Sequence, residues 1–167
     1  FIVSPYFIPG DEGVAWLRGL AQRGVEVTIL TNSLSASDVG AVHAGYRRYR
    51  QQLLEAGIRL YELKPGAVEQ ANQQKKHRIG ASRASLHAKT FIFDRSAVFI
   101  GSLNLDPRSI QLNTEVGISC INADMAQQLD QRLRQHLDDI AWRVQLSPDG
   151  KGQLRWHEAG SAGDKVY

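Results

Sequence analysis

The amino-acid sequence predicts an α/β layer fold, in which a mixed, largely parallel sheet is flanked by helices on both faces. Strand-like apolar runs alternate with amphipathic helical stretches as far as residue 63, which is the pattern of parallel strands joined by helical crossovers. A glycine follows each of the first two helical stretches, at the place where helices commonly end. The chain has 167 residues, of which 43% are apolar, so we expect one domain with a substantial core.

The first five predicted elements are a strand, a helix, a strand, a helix and a strand. The apolar run 1–8 is the first strand, and the helix that follows over 11–23 opens on acidic residues that suit the positive end of a helix dipole. Gly24 ends this helix, and Gly57 ends the second one. The other elements of this half are a strand over 25–30, a polar loop over 31–38, a helix over 42–56 and a strand over 58–63.

The second half of the chain is predicted to hold more strands and one long helix. Residues 64–83 are rich in Gln, Lys and Gly and have weak periodicity, which indicates a long surface loop. After it come strands over 86–93 and 97–100 joined by the turn Asp94-Arg95-Ser96, a strand over 115–121, a helix over 124–144, a turn over 147–150 and a strand over 153–156. We therefore expect a half-domain over 1–144 and a small C-terminal hairpin extension over 145–167 that is cut short.

Charge and composition restrict the kinds of partner. The formal net charge of +3 and the pI of about 9.2 suit nucleic acid, anionic lipid or a phosphorylated small molecule. No apolar run approaches the roughly 20 residues that span a bilayer, so any membrane contact is expected to be peripheral. The histidines other than His87 are scattered and lack acidic or cysteine partners, so no metal and no cofactor are expected. The chain opens inside an apolar run without an initiator methionine, which is typical of a fragment.

One string of residues indicates the chemistry of the protein. The string consists of His87-x-Lys89, Asp94 and Gly101-Ser102-x-Asn104. Its first three positions would match by chance in roughly one chain of this composition in a hundred, and the whole string in on the order of a few per million. A functional motif is therefore favoured over coincidence.

The spacing within the string predicts an anion site. His87 and Lys89 are two residues apart, so in a strand their side chains share a face and can contact one phosphate. Ser102 and Asn104 have the same relation, and Gly101 lets the backbone approach an oxyanion closely. A histidine can attack phosphorus, and lysine, hydroxyl and amide donors can stabilise the charge on the non-bridging oxygens. The string therefore predicts phosphodiester chemistry without a metal.

The string resembles the second His-Lys-Asp motif of the phospholipase D superfamily, and more narrowly that of bacterial cardiolipin synthases. The similarity covers about residues 1–144. It includes the strings Ser4-Pro5-Tyr6-Phe7-Ile8-Pro9-Gly10, Leu86-His87-Ala88-Lys89, Gly101-Ser102-Leu103-Asn104-Leu105-Asp106-Pro107-Arg108-Ser109 and Leu112-Asn113-Thr114-Glu115. The resemblance implies the phospholipase D/nuclease-like fold. It also implies an active site built from two such motifs, of which this chain has one.

The resemblance further implies a role for each motif residue. The implied catalytic set is His87, Lys89, Asp94 and Glu115, and the implied phosphate-binding set is Lys89, Gly101, Ser102 and Asn104. Within these sets His87 is the nucleophile or the general acid, whereas Asp94 is structural and anchors the turn after its strand. Glu115 would hydrogen-bond the imidazole and select its tautomer, as a carboxylate does in other histidine sites. A simple acid at a strand edge is the alternative for Glu115.

The implied reaction is transfer of a phosphatidyl group from a phospholipid to an alcohol acceptor through a phosphohistidine. With water as the acceptor, the same chemistry gives phospholipase activity. The implied partners are the phospholipid, the alcohol, the N-terminal His-Lys-Asp half of a parent chain and the cytoplasmic surface of a bacterial inner membrane. An isolated half is expected to be inactive as a monomer, with self-association into a homodimer as the alternative.

Two rival functions remain open on the residues alone. A nuclease of the same superfamily would need a strongly basic groove, and a net charge of +3 is mild for that, so nucleic acid is not the expected partner. An idle binding half-domain is disfavoured because every polar position of the motif is intact. The basic segment 75–78 either steers an anionic headgroup or is simply solvated. The aromatic and basic stretch 46–50 resembles nucleic-acid binders, but on a helix a solvated face is favoured.

Overall fold

The computed structural model describes residues 1–37, 40–67, 86–149 and 152–158. These residues form one sheet with the strand order β6-β5-β4-β1-β2-β3-β7-β8. The strands are β1 (Ile2–Val3), β2 (Thr28–Asn32), β3 (Arg59–Leu63), β4 (Thr90–Phe93), β5 (Ala97–Gly101), β6 (Gly117–Ile121), β7 (Ala141–Leu146) and β8 (Leu154–His157). The helices are α1 (Gly10–Gln22), α2 (Gly40–Arg47), α3 (Arg50–Glu55), α4 (Pro107–Gln111) and α5 (Ala123–Ile140).

The sheet is mixed, and most of its strand pairs are antiparallel. Strand β1 pairs in parallel with β2, and β2 pairs in parallel with β3, whereas the other five pairs are antiparallel. The prediction of a largely parallel sheet is therefore wrong in this detail. The strand directions differ from the prediction because of how the strands are connected. Helical crossovers return the chain in the same direction only between β1, β2 and β3, while short turns reverse it at the β4–β5 and β7–β8 hairpins.

Helices cover both faces of the sheet, as predicted. Side chains of β2 alternate, so that Ile29 packs with α1 and α3 on one face and Leu30 packs with α5 on the other. The core of the first face includes Val14, Leu17, Tyr46, Leu53 and Leu60. The core of the second face includes Val3, Tyr61, Leu137 and Ala141.

The helix predicted over 42–56 is two helices, α2 and α3, with a break between Arg47 and Arg50. Tyr46, Arg50 and Leu53 are all buried, so the helical spacing of inward-facing residues continues across the break. This spacing is why the sequence suggests one continuous helix. The glycine after α3, Gly57, has a φ of +81°, the left-handed conformation expected where a helix ends.

The long C-terminal helix is shorter than predicted. Helix α5 begins at an Asn122 cap, whose side chain accepts a hydrogen bond of 2.9 Å from the Met125 amide, and it ends at Ile140. Residues 141–144, predicted as its last turn, belong to β7, which pairs with β3. A short apolar run fits both periodicities, and here the free edge of β3 provides the pairing partner.

Several strand limits also differ from the prediction. The run 1–8 contains only the two-residue strand β1, since Pro5 has no amide hydrogen for a ladder. The predicted strands over 25–30, 86–93 and 115–121 correspond to the shorter or shifted strands β2, β4 and β6. Helix α4 was not predicted, although Asp106 and Pro107 are an N-cap and N1 signal. Most of the predicted loop, with its basic segment 75–78, lies outside the described residues.

Candidate active site

One open pocket of about 630 Å³ gathers most of the predicted site residues. It lies beside the carboxyl end of β1, where Pro5 and Tyr6 form part of its wall. The predicted residues that line it are His87, Lys89, Gly101, Ser102, Asn104 and Glu115. Asp94 is not among the residues of this pocket.

The motif histidine and lysine were predicted to lie inside a strand. In the structure they lie immediately before β4. Because β4 runs antiparallel to β1, residues 86–89 come to the carboxyl end of β1. Two contacts hold this segment: the Leu86 amide donates to Asn32 Oδ1 at 3.1 Å, and the Gly101 amide donates to the Lys89 carbonyl at 3.1 Å. Asn32 was missed by the sequence analysis because it lies far away along the chain.

Lys89 and His87 contact each other directly. His87 is exposed, whereas Lys89 is 8% exposed. The Lys89 ammonium donates to the His87 carbonyl at 2.8 Å and lies 3.4 Å from Nδ1 of the ring. The two groups therefore meet at one point of the pocket, which is the juxtaposition that their spacing predicts.

Glu115 is held by hydroxyl groups. Its carboxylate accepts hydrogen bonds from Ser102 Oγ and Ser109 Oγ, and from Asn113 Nδ2 at 3.2 Å. The bonds from Ser102 and then Ser109 lower the pKa of Glu115, so the carboxylate stays ionised near neutral pH. Within the described residues, no hydrogen bond joins Glu115 to His87, the contact that the resemblance implies.

Ser102 and Asn104 differ in what they can offer a phosphate. Ser102 donates its one hydroxyl proton to Glu115 and accepts from the Val116 amide at 3.0 Å, so it positions the carboxylate in this state. Asn104 Oδ1 accepts from the Tyr6 amide at 3.4 Å, which orients the Asn104 NH₂ group as a donor. Asn104 is therefore the better placed of the two to bind a phosphate oxygen.

Gly101 is required by the packing of two strands. A Cβ at this position would lie 2.5 Å from the Val116 carbonyl oxygen and 2.8 Å from Gly117 Cα. Gly101 and Gly117 pair directly across β5 and β6. The absence of a side chain thus allows close strand pairing at the pocket wall, in addition to the backbone approach suggested by the sequence.

Asp94 lies at the other end of β4 from Lys89. It is exposed in the β4–β5 turn, where Asp94 and Arg95 have φ values of +49° and +53°. Four strand residues separate Lys89 from Asp94, a distance of roughly 13 Å or more along an extended chain. The structure therefore brings Asp94 to the turn rather than to the pocket.

The described part of the chain contains neither a metal-binding cluster nor a membrane-spanning helix. No group of three or more His, Cys, Asp or Glu side chains there is arranged to hold a metal ion. No helix in that part is both long enough and apolar enough to cross a membrane.

The sequence matches a known protein family and curated relatives. Residues 1–137 match the family described as "Cardiolipin synthase, PLD-like domain". The chain is 48% identical over 155 residues to cardiolipin synthase C of Escherichia coli (strain K12), a match that covers 93% of this chain and 32% of that protein. The chain thus spans about a third of the length of this relative.

The fold has solved counterparts. The phospholipase D family member Nuc from Salmonella typhimurium superposes with a TM-score of 0.60 at 18% identity, over 86% of this chain and 80% of that one. Phosphatidylserine synthase from Haemophilus influenzae superposes with a TM-score of 0.57 at 14% identity, over 84% of this chain and 32% of that one. The predicted phospholipase D-type fold is thereby confirmed. Given the family match over residues 1–137, the chain belongs to the phospholipase D-like domain family of the cardiolipin synthases.

Proposed function

We propose that this domain supplies one half of an active site that transfers phosphatidyl groups from phospholipids to alcohols. One observation carries the proposal: a single pocket holds an exposed imidazole, a buried ammonium and an ionised carboxylate, from His87, Lys89 and Glu115. An imidazole nucleophile and a cation for the non-bridging oxygens meet two requirements of phosphodiester cleavage. The third is a proton donor for the leaving alcohol.

The proposed reaction has two steps. In the first step, a ring nitrogen of His87 attacks phosphorus, a P–N bond forms, and the P–O bond to the leaving alcohol breaks as that oxygen takes a proton from a second histidine. In the second step, the acceptor hydroxyl returns a proton to the second histidine, its oxygen attacks phosphorus, and the P–N bond breaks. The two histidines can exchange these roles. With water as the acceptor, the outcome is hydrolysis.

Neighbouring side chains support the charges that develop. Lys89 can swing its ammonium from the His87 carbonyl to a phosphate oxygen, because both face the same pocket. The Asn104 NH₂ group adds a second donor. The ionised Glu115 lines this pocket as well, so it favours the positively charged, phosphorylated imidazole electrostatically.

A second half of the site is part of the proposal. Three residues of the pocket wall, Ile100, Val116 and Ile118, are 46%, 76% and 74% exposed, and we call them the apolar rim. Exposed apolar surface beside a polar pocket is typical of a protein interface. We therefore place the complementary His-Lys-Asp half of a parent chain on the apolar rim, where its histidine would face His87 across one phosphate. A second copy of this chain is the alternative occupant.

The substrate class is inferred from the relatives. Cardiolipin synthase C of Escherichia coli is named for a lipid product, and this chain resembles it over 155 residues. A phospholipid donor and peripheral binding to the cytoplasmic face of the inner membrane follow as proposals. A nuclease is the second candidate, and the mild charge of +3 disfavours it.

The test compares lipid and nucleic-acid substrates. The chain, assembled with its complementary half, is incubated with phosphatidylglycerol vesicles, in which a second lipid molecule offers the acceptor hydroxyl, and in parallel with single-stranded DNA. We expect thin-layer chromatography to show lipid transfer products that disappear in His87→Ala and persist in His136→Ala, a matched change of an exposed histidine on α5. Cleavage of DNA without lipid transfer would establish the nuclease instead.

A further inference from the structure

A second, larger cavity lies on the same edge of the sheet as the catalytic pocket. It has a volume of about 930 Å³ and opens outside the carboxyl ends of β2 and β3. Ligands of open α/β sheets commonly bind outside the carboxyl ends of parallel strands. None of the motif residues lines this cavity, so the reaction described above does not use it.

The floor of the cavity is a buried charged network. Arg50 and Glu62 form an ion pair of 2.8 Å with side chains only 5% and 2% exposed. Trp156 Nε1 donates to the other oxygen of Glu62 at 2.9 Å, and the Arg50 guanidinium stacks 5.2 Å from the Trp156 ring centroid. His43 Nε2 accepts from Arg50, which places the ring proton on Nδ1. Burying such charges is costly, so a network that floors a cavity suggests a binding role.

One charged donor in this cavity is open to an anion, and an unsatisfied donor lies beneath the cavity wall. Arg50 Nε is fully buried and has no hydrogen-bond partner within the described residues, so it is an unsatisfied donor below the wall that other atoms of Arg50 help to line. Arg47, also in the lining, is exposed and forms no ion pair within the described residues. Because Glu62 already compensates Arg50, Arg47 supplies the unpaired positive charge. The rest of the wall is largely apolar and includes Leu34, Leu154 and Trp142.

The cavity and the catalytic pocket are neighbours. Asn32 exchanges hydrogen bonds with the Leu86 backbone, at 3.1 Å and 3.5 Å. Asn32 directly precedes Ser33, which lines the cavity, and Leu86 directly precedes His87 and lines the catalytic pocket. Adjacent strands are about 5 Å apart, so the nearest walls of the two sites, at β4 and β2, are separated by roughly two strand spacings, or about 10 Å.

We propose that this cavity is a second binding site, for the glycerol phosphate ester group of an anionic amphiphile. Arg47 holds the phosphate, and the apolar part lies against Trp142 and Trp156. The inference rests on the proposed function, in which a second lipid must approach the phosphohistidine as acceptor. It assigns that lipid a binding site next to the catalytic pocket.

Intrinsic fluorescence can measure this binding directly. Of the three tryptophans, Trp142 and Trp156 line the cavity, whereas Trp16 is 60% exposed on α1. In a Trp16→Phe background, the chain is titrated with monomeric dihexanoylphosphatidylglycerol and, separately, with glycerol 3-phosphate. We expect a saturable shift of the emission with the lipid. Arg47→Gln should weaken binding about tenfold or more, the loss of a charge-assisted contact.

The neighbouring exposed arginine, Arg48, is outside the cavity lining, so Arg48→Gln is the matched control and should leave binding unchanged. Equal affinity for glycerol 3-phosphate would identify a water-soluble ester as the source of the ligand, and weaker affinity a lipid. The proposal is overturned if neither compound gives a saturable shift, or if Arg47→Gln binds like the control. Binding does not require turnover, so the two proposals can fail separately. A protein that binds the lipid as expected but has no activity would refute only the transfer function. A protein that is active but does not bind the lipid would refute only this site.

Discussion

Among the single residues, His87 and Lys89 have separate tasks in the proposed reaction, as nucleophile and as phosphate-binding cation. Both can be removed without loss of core packing, because His87 is exposed and Lys89 contacts the pocket rather than a core cluster. We expect His87→Ala to lower transfer by about 10⁴-fold or more, since the proposed reaction needs two histidines, one as nucleophile and one as proton donor. Lys89→Ala should be nearly as severe. Steady-state transfer by the assembled enzyme is the measurement, with circular dichroism as the control for folding, and wild-type-like rates in either variant would refute the assignment.

Glu115 acts through other groups, so its replacement should cost less. Glu115→Gln keeps an acceptor for Ser102 but removes the negative charge that favours a phosphorylated imidazole. A loss of about 10- to 100-fold is expected for a supporting residue of this kind. If the transfer rate is unchanged while the protein stays folded, Glu115 is merely a structural acid at the strand edge.

The sequence located the residues that touch the pocket better than those that hold them. Six residues belong to recognisable strings, and all six line one pocket: His87, Lys89, Gly101, Ser102, Asn104 and Glu115. Asn32 and Ser109 were missed, because a long-range contact to a backbone or a carboxylate leaves no local pattern. The partners of Glu115 could not be predicted either, because they depend on how β5 and β6 pair.

At the scale of elements, the pairing of β5 with β6 depends on glycine. A methyl group at position 101 would lie 2.5 Å from the Val116 carbonyl oxygen, which is shorter than a carbon–oxygen van der Waals contact. Gly101→Ala must therefore separate the strands. We expect a loss of about 1 to 3 kcal/mol in the free energy of unfolding, measured by urea denaturation, together with lower activity. Gly19→Ala is the control: it lies in α1 with nothing within 4 Å, and it should be neutral or stabilising. Equal effects of the two changes would contradict this explanation.

The elements themselves were predictable where local signals agree. Helix α1 has acidic residues in its first turn and a left-handed Gly24 after its end, and its predicted limits are nearly those observed. The short turn over 94–96 predicted that β5 runs antiparallel to β4. The directions of β4 and β7 were not predictable, because strand direction depends on which edge is free when the chain returns. Strand β7 also shows that tertiary pairing can turn the end of a helical pattern into a strand.

At the scale of the whole molecule, the buried network beneath the larger cavity should make stability depend on pH. Burial, and then the charges of Arg50 and Arg47, lower the pKa of His43 to about 4. Its ordinary pKa is 6.5, so between pH 6.5 and 4 the unfolded chain binds a proton that the folded protein does not. The free energy of unfolding therefore falls as the pH falls through this window, by at most about 3 kcal/mol from His43.

The contribution of His43 can be isolated with His43→Gln, which keeps an acceptor for Arg50. Burial also raises the pKa of Glu62, and this acts in the opposite direction, since the folded protein then holds a proton that the unfolded chain has lost. Because Glu62 is present in both proteins, its effect largely cancels in the difference. We expect the stability advantage of the wild type over His43→Gln to shrink between pH 7 and pH 4, measured by urea denaturation. An advantage that is constant with pH would show that His43 does not titrate in this way.

In the proposed mechanism, this chain carries only one of the two histidines that the reaction requires. Attack by His87 leaves the departing oxygen in need of a proton from the opposite side of phosphorus, a position that His87 cannot also occupy. The most direct test measures phosphodiester turnover by the 167-residue chain across a dilution series, with sedimentation in parallel. The requirement for two histidines predicts that the monomer is inactive and that any activity appears only with a dimer or with the complementary half added. Turnover that stays with the monomer at every concentration would contradict it.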